Sequence, residues 1–569
     1  MKLSKVLVLV LALALSFSFV VTGCGQKAAD EPEPEKTASK PVEKAAEAEE
    51  APKLEPITFT MFSGDQYQAP SEDNPVVQKV RELTGVTIEF EFLVGDLAQK
   101  MGVIIASGDY PDLMNPSQSR ATAMEANVFI PLDEYIGTGK YANIDSHYSP
   151  YINKLKAASG QDKIFLLDSF GRYYGNWIPP YQNGSGFFMQ KDVLADAGYP
   201  NPKTLDEYFS LIENYVKKYP TIDGQPTLGF EVLSYDWRSF CLKNPPQHLV
   251  GRPNDGDVIV DPDTYVASLY QDTDFAKAYY KKLNEMFHKG VISAETFTQN
   301  YDQYLAKIAT GRVVAMFDQY WNFQAGELPL RTEERWERTY VPLDITYEGY
   351  RGQYLDPPTF TGGNGMGITT ACKDPERALQ YIDMILTEDM QKLLQWGIEG
   401  VNYHVGDDGM YYRTDEQRAQ SRDQAWIYDN MADQLWNQFP KFQGIHADGN
   451  WCHPNEQPGE VLAEQSKYDQ DFLGQYGFKL PTEFLSPPPF SESPAYYPVW
   501  GYTVEDGTDA KNAINKITEL ENTYLPRIIT EDADKFDAAW DAYVELLHGS
   551  GYEAYLDFVN AEISKRMGN

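Results

Sequence analysis

The sequence predicts an α/β fold, and three observations carry that prediction. Residues 57–92 read as strand, helix and strand in immediate succession, the signature of a right-handed parallel crossover. Helical and short-strand patterns keep alternating along the rest of the chain, as α/β classes require. The 569 residues are 42 % hydrophobic and 14 % aromatic, which supplies core for two or three domains at roughly 100–200 residues each.

The elements follow in chain order. Lys2 and Lys5 precede an uncharged apolar run, Val6 to Val21. That run is short for a helix spanning roughly 30 Å of hydrocarbon but suits the core of a signal peptide. It stops at Val21-Thr22-Gly23-Cys24, which resembles the lipobox of bacterial lipoproteins. The resemblance implies cleavage before Cys24 and a lipid on its thiol. Gly25 to Pro56 holds five Lys, nine Asp/Glu and no aromatic residue, so it reads as a disordered acidic tether. Ile57 to Phe62 alternates as a strand. Asn74-Pro75 supplies an N-cap and a first-turn proline, and Val76, Val77, Val80 and Leu83 form a helical face ending at Gly85. Val86, Ile88, Phe90 and Phe92 alternate as the second strand. Leu97, Met101, Ile104 and Ile105 make the next helical stripe, and Leu113-Met114 a short third strand. Thr204 opens a helix whose apolar face is Leu205, Tyr208, Phe209, Ile212 and Tyr215. Asp374-Pro375 opens another, with Leu379, Ile382 and Ile385. Gly352 to Thr370, with Pro357-Pro358 and Thr361-Gly-Gly-Asn-Gly365, is the clearest irregular stretch and a candidate crossing between domains.

Charge and cysteine content exclude several classes. With 48 Lys+Arg against 84 Asp+Glu the net charge is −36, which excludes a nucleic-acid binder that must replace phosphate counterions. Beyond Cys24 only Cys241, Cys372 and Cys452 remain, too few and too scattered for a disulfide framework. His446, Cys452 and His453 lie close together, but their spacing fits no zinc pattern. No metal or cofactor is expected. Nucleophile-elbow, zincin, Walker and dinucleotide-binding motifs are missing from the sequence.

Several segments resemble the lipoprotein type of extracellular solute-binding protein family 1, the carbohydrate-binding components of bacterial ABC importers. They are Ala106-Ser-Gly-Asp-Tyr-Pro-Asp112, Lys191-Asp-Val-Leu194 with Pro202 to Tyr208, Gly311 to Met316, Trp396 to Tyr403, and the terminal helices from Ile529 to Leu556. The resemblance implies a periplasmic-binding-protein-like fold of two discontinuous lobes with a hinge and a ligand in the interlobe cleft. Residues 1–23 are then the signal peptide, 24–56 the lipidated cysteine and tether, and 57–569 the solute-binding module. Lobe 1 is expected at 57–165 plus 305–360, lobe 2 at 166–304 plus 361–525, and C-terminal helices at 526–569. Some members of that family bind calcium in an Asp/Asn-rich loop. The corresponding Tyr219 to Thr227 has one carboxylate, Asp223, and no calcium is expected there.

A sugar site needs aromatic platforms for C–H faces and polar side chains for hydroxyls. Aromatic and polar residues adjoin turn signals at Asp65 and Tyr67, at Arg172 to Trp177, at Tyr235 to Arg238 and at Asp318 to Asn322. Ligand-binding candidates are Trp321, Trp237 and Trp177 as platforms, with Tyr403, Asp65, Tyr67, Asp112 and Gln319. The first and last of the four segments follow strands, where open α/β sheets bind ligands. The expected function is a lipid-anchored, monomeric, non-enzymatic protein on the extracellular face of the cell membrane. It captures a neutral oligosaccharide by hinge closure and delivers it to ABC permease subunits. A surface glycoside hydrolase, or a sensory or peptide-binding lipoprotein on the same scaffold, is the alternative.

Overall fold

The computed structural model describes residues 54–175, 179–180, 182–355, 360–488 and 493–568. Cys24, Trp177, Pro357 and Pro358 lie outside the described residues, as do the signal segment and all but the end of the tether. Nine strands build two sheets: β1 (Ile57–Ser63), β2 (Val86–Phe92), β3 (Leu113–Asn115), β4 (Leu167–Asp168), β5 (Ser185–Gln190), β6 (Leu228–Glu231), β7 (Val313–Gln319), β8 (Tyr340–Leu343) and β9 (Gly365–Ile368). The first sheet has the order β2-β1-β3-β9-β4 and the second β8-β5-β7-β6. In the first, β2 and β3 run parallel to β1, with Ile57 opposite Val86 and Met61 opposite Leu113. The returning β9 is antiparallel to β3 and to β4. In the second, β5 is antiparallel to β7 and β8, while β6 is parallel to β7.

Each sheet has its own core, so the molecule is two-lobed. Phe59, Met61, Leu113 and Ile368 pack in one cluster, and Phe187, Met189, Phe230, Phe317 and Val341 in another. The alternation of β5 sends Phe188 to the opposite face, against Phe323 and Met316, so the second sheet is covered on both sides.

Helix boundaries follow their capping chemistry. In α1 (Pro75–Thr84) the Asn74 Oδ1 accepts from the backbone of Val76 and Val77 at 3.1 and 3.0 Å. Gly85 (φ 68°) closes the helix in the left-handed conformation that glycine adopts without strain. Val76 and Val80 are buried as the spacing predicts, but Leu83 is 49 % exposed and Thr84 takes its place. After α2 (Leu97–Ser107), α3 (Leu205–Lys218) carries a Thr204/Glu207 capping box and buries all five predicted apolar residues. The chain continues through α4 (Asp274–His288), α5 (Tyr320–Thr332) and α6 (Pro375–Ile385), the last capped by Asp374 and burying Leu379, Ile382 and Ile385. The terminal helices α7 (Asp509–Thr530), α8 (Phe536–His548) and α9 (Tyr552–Arg566) join the second core through Ile517, Leu525, Trp540, Tyr543 and Val559. The terminal segment expected at 526 therefore begins inside α7. No helix among the described residues is long and apolar enough to cross a membrane.

The lobe assignment of four strands is corrected by the strand pairing. β7 and β8 fall in 305–360, expected in lobe 1, yet both pair with β5 in the second sheet. β4 and β9, expected in lobe 2, belong to the first sheet. Periodicity marks these segments as strands but carries no information about which sheet they join. The stretch from 344 to 364 does connect the sheets, running from β8 of the second to β9 of the first.

That connection is pinned at the base of the first sheet. Asp168, fully buried, accepts from the backbone N–H of Gly362 at 2.7 Å and of Asn364 at 2.8 Å. Lys154 donates to the carbonyl oxygens of Phe360 and Tyr497 at 2.8 and 2.7 Å. Arg566, from the end of α9, donates to that of Thr361 at 3.3 Å. Gly362 and Gly363 have φ of 76° and 88°, and a Cβ on Gly362 would meet the Lys154 carbonyl at 3.0 Å. Only glycine lets the connector press against its cradle there.

Candidate functional site

Strand direction decides which sheet edges face the connections. β4 runs parallel to β1 and β3, because both β4 and β3 are antiparallel to β9. The chain therefore leaves the first sheet, after Asp168, from the edge where β1 and β3 end. It enters the second at the start of β5, the edge where the antiparallel β7 ends. The return from β8 to β9 joins the same two edges. The C-terminal ends of β1 and β3 thus face the connections from one side, and those of β6 and β7 from the other. Open α/β sheets bind ligands at such ends.

On the second lobe this edge carries two tryptophans. Trp321 sits in the first turn of α5, directly after β7, and its backbone N–H donates to the Asn183 carbonyl of the connector at 3.3 Å. Trp237 lies in the turn Asp236–Ser239 after β6, where Asp236 has a φ of 46°. The two rings stack with centroids 5.7 Å apart and planes within 10°, and Trp237 remains 62 % exposed. Gln319, the last residue of β7, orients Trp321 by accepting from its Nε1–H at 2.5 Å. Arg238 lies 4.4 Å over Trp237 and 4.1 Å over Tyr301, and donates to Asp236 at 2.7 Å and Asn322 at 3.2 Å. Beneath them the buried Asp318 accepts from Tyr304 at 2.7 Å, from Asn322 at 3.0 Å and from the Gln319 backbone at 2.6 Å. Burial pushes its carboxyl up to about 6 against those bonds. Asp318 is a buried brace for the platform, out of reach of a ligand.

The first lobe presents a mixed polar and aromatic edge. Asp65, just beyond β1, accepts from Asn115 Nδ2 at 3.1 Å, and Asn115 also donates to Gln438 at 3.0 Å. Tyr67 packs against Phe92 and Tyr428 at 5.7 and 6.2 Å, and burial raises its phenol. Lys441 holds its ammonium 3.7 Å over the Trp436 ring and 5.8 Å over that of Phe170. Burial lowers Lys441 to about 8, with Asp433 pulling the other way. A flat ring pair on one lobe and the half-buried Asp65 carboxylate beside Tyr67 on the other can take the apolar face and the hydroxyl edge of one sugar ring.

The structure brings together Trp237, Trp321 and Gln319 on one edge, and Asp65 and Tyr67 on the other. It does not bring in Asp112 or Tyr403. Asp112 stands at the start of β3, away from the ligand edge. Its carboxylate accepts from the Thr60 backbone at 2.9 Å and hydroxyl at 3.1 Å and from the Lys373 backbone at 3.1 Å. Burial would raise it, but these bonds hold it below the usual carboxylate range. Tyr403, 8 % exposed, packs with Trp396 and Tyr411 in a small separate cluster. Tyr173-Tyr174 pairs with Gln443-Gly444, and Arg172 stacks 4.7 Å over Tyr174, so this segment is packing within the first lobe. Asp223 occupies a hairpin turn, where Arg335 donates to it at 2.8 Å. Cys452 Sγ lies 3.6 Å from His446 Nδ1, and Cys241, Cys372 and Cys452 are free thiols.

Asn115, Phe170, Trp436 and Lys441 are the residues sequence reasoning missed. Asn115 was legible by the logic applied to Asp65, since it directly follows the predicted strand Leu113-Met114. The other three come from segments without strand or helix periodicity and reach the edge only through tertiary packing.

The model of the bacterial extracellular solute-binding protein family matches residues 76–415. The chain belongs to that family. Among curated relatives of this solute-binding protein, the fructooligosaccharide ABC transporter substrate-binding protein FusA of Streptococcus pneumoniae is 25 % identical over 313 residues, covering 51 % of this chain and 53 % of FusA. The matched stretch thus spans about half of FusA. The polygalacturonan/rhamnogalacturonan-binding protein YtcQ of Bacillus subtilis is 22 % identical over 384 residues, 62 % of this chain and 68 % of YtcQ. Among solved structures, an HMO-binding, ABC-transporter-associated solute-binding protein of Bifidobacterium longum infantis superposes with a TM-score of 0.62 at 16 % identity, covering 90 % of this chain and 99 % of that one. FusA in complex with fructo-nystose gives a TM-score of 0.59 at 17 % identity, covering 90 % and 100 %. These likenesses establish the fold; the family and these relatives are binding proteins rather than enzymes.

Proposed function

We propose that this solute-binding protein, anchored by lipid on Cys24 at the extracellular face, captures a neutral oligosaccharide and delivers it to ABC permease subunits. The observation that carries the reading is the stacked Trp237–Trp321 pair, exposed at a strand-end edge that faces the Asp65, Asn115 and Lys441 edge across the connectors. A sugar held on both edges makes contacts that exist only when the lobes approach, so ligand favours the closed state. The printed names of the relatives support a carbohydrate ligand, since FusA is named for fructooligosaccharide, a neutral glycan, and YtcQ for polygalacturonan and rhamnogalacturonan, which are acidic. Arg238 and Lys441 are already balanced by Asp236 and Asp433, which favours an uncharged chain over an acidic one. The test is a thermal-shift screen of the purified chain against linear oligosaccharides, followed by mass analysis of the recovered glycan. The reading expects a raised midpoint with at least one oligosaccharide and its return uncut. Cleavage of the glycan, or a shift only with peptides, overturns it.

A further inference from the structure

A cavity of about 360 Å³ lies beside α5, between the second sheet and the 413–481 stretch. Small-molecule sites run to roughly 300–1,000 Å³. Tyr320 and Trp321 are neighbours in the first turn of α5, so their side chains leave the helix about 100° apart. Trp321 turns to Trp237, whereas Tyr320 turns to Glu327 and lines the cavity. Phe188, Tyr320, Tyr340, Pro342, Val461 and Leu473 give the cavity its apolar wall. The whole chain has 84 acids against 48 Lys+Arg. This lining reverses that balance, with Lys191, Arg331, Arg413 and Arg422 against Glu460, Glu464 and Asp469.

The buried carboxylates around it are taken up inside the protein. Glu327, fully buried behind Arg331, accepts from the Tyr340 backbone at 2.8 Å, the Tyr320 hydroxyl at 3.0 Å and Arg331 Nε at 2.8 Å. Glu460, also buried, accepts from the Arg413 backbone at 2.8 Å and Nε at 2.9 Å. It accepts further from Arg418 Nε and Nη2 at 3.1 and 3.0 Å. Asp469 holds Lys191 and accepts from the Ser466 backbone at 3.2 Å. Two guanidinium groups are not taken up in this way. A guanidinium has five N–H donors. Among the described residues Arg331 donates from Nε alone, and Arg422 from Nη2 alone, to Glu464. Their side chains keep 36 % and 63 % of their surface accessible. What this lining has to spare is therefore cationic donors beside apolar rings.

We infer that this cavity binds a small organic acid, one carboxylate on an apolar body of about one ring, at a site separate from the tryptophan pair. The carboxylate pairs with Arg331 and Arg422, and the body lies against Phe188, Tyr340 and Val461. The test is calorimetric titration of the full chain with benzoate, 3-phenylpropionate and hexanoate, with the amide of each, and with acetate. At least one of the three acids should bind at a single site per chain. Its amide should bind at least tenfold more weakly, because it lacks the charge that strengthens a hydrogen bond to guanidinium. Acetate, which lacks the apolar body, should also bind more weakly. Arg422→Gln, at an exposed position, should weaken that acid about tenfold. Val461→Phe, which puts a ring into the cavity, should abolish its binding. Both variants should keep the melting midpoint; if Val461→Phe melts early, Arg422→Gln decides alone. Binding of none of the three acids, equal binding of acid and amide, or an unchanged affinity in Arg422→Gln overturns the site. The probes carry no sugar, so each of these outcomes leaves the oligosaccharide-capture reading standing.

Discussion

Replacing Trp321 by alanine separates the ligand role of the tryptophan pair from its packing role. In the free protein the change removes one ring of a stack with centroids 5.7 Å apart and one hydrogen bond to Gln319. The indole is only partly buried, so its loss amounts to about 1–3 kcal/mol. A protein of this length unfolds with an entropy of about 1 kcal/mol per degree, which turns that loss into a midpoint shift of roughly 1–3 °C. The effect on ligand is larger. A rigid aromatic anchor at the centre of a site is worth about 2 kcal/mol or more, roughly a thirtyfold weakening. Trp237 would also lose the ring that holds it flat. Calorimetric titration with the oligosaccharide found by screening, beside scanning calorimetry of the same variant, reads both numbers. An affinity within about threefold of wild type, or a midpoint drop beyond about 8 °C, would refute the reasoning.

Three further outcomes are expected. Lys191 and Asp469 form a buried ion pair, with Thr339 also bonded to Lys191; Lys191→Met should cost about 3–5 kcal/mol, and Lys191→Met with Asp469→Leu should recover most of it in thermal melts. Asn74→Ala removes the α1 cap and two bonds to the carbonyl oxygens of Tyr428 and Met431 at 3.0 and 2.7 Å. It should cost about 1–2 kcal/mol and speed amide exchange in the first turn of α1. Burial pushes Asp168 up to about 6, whereas in the unfolded chain it titrates near about 4. The native state therefore keeps a proton there that the unfolded chain has released, and the Asp168 contribution to stability falls as pH rises from about 4 to about 6. Denaturation of Asp168→Asn across that range should show a smaller decline than wild type.

How much of this was legible in the sequence depended on how local each cause is. The α3 cap and face were readable because Thr204, Glu207 and the apolar positions act within a few residues of one another. That Trp237, Trp321 and Gln319 gather at one sheet edge was readable because each lies at or after the end of a strand-like run. Leu83 misled because a one-residue rotation of the buried stripe put Thr84 inside instead. Asp112 misled because a carboxylate after a turn looks the same whether it faces a ligand or, as here, Thr60 and Lys373. The lobe assignment of β7, β8 and β9 failed because strand pairing is long-range. For the same reason Trp436 and Lys441, which follow no strand, gave no local sign of their place beside Asp65.

The direction of β1 has a practical consequence. Its seven residues run from Ile57 to Ser63, and at roughly 3.3 Å per residue that is about 20 Å. The chain thus enters the folded body at one end of the strand while Asp65 lies past the other. A sensor chip, bead or dye joined ahead of residue 54 would grip the molecule from behind. The mouth of the cleft would stay open to solution, so immobilised protein should give the same binding curve as free protein.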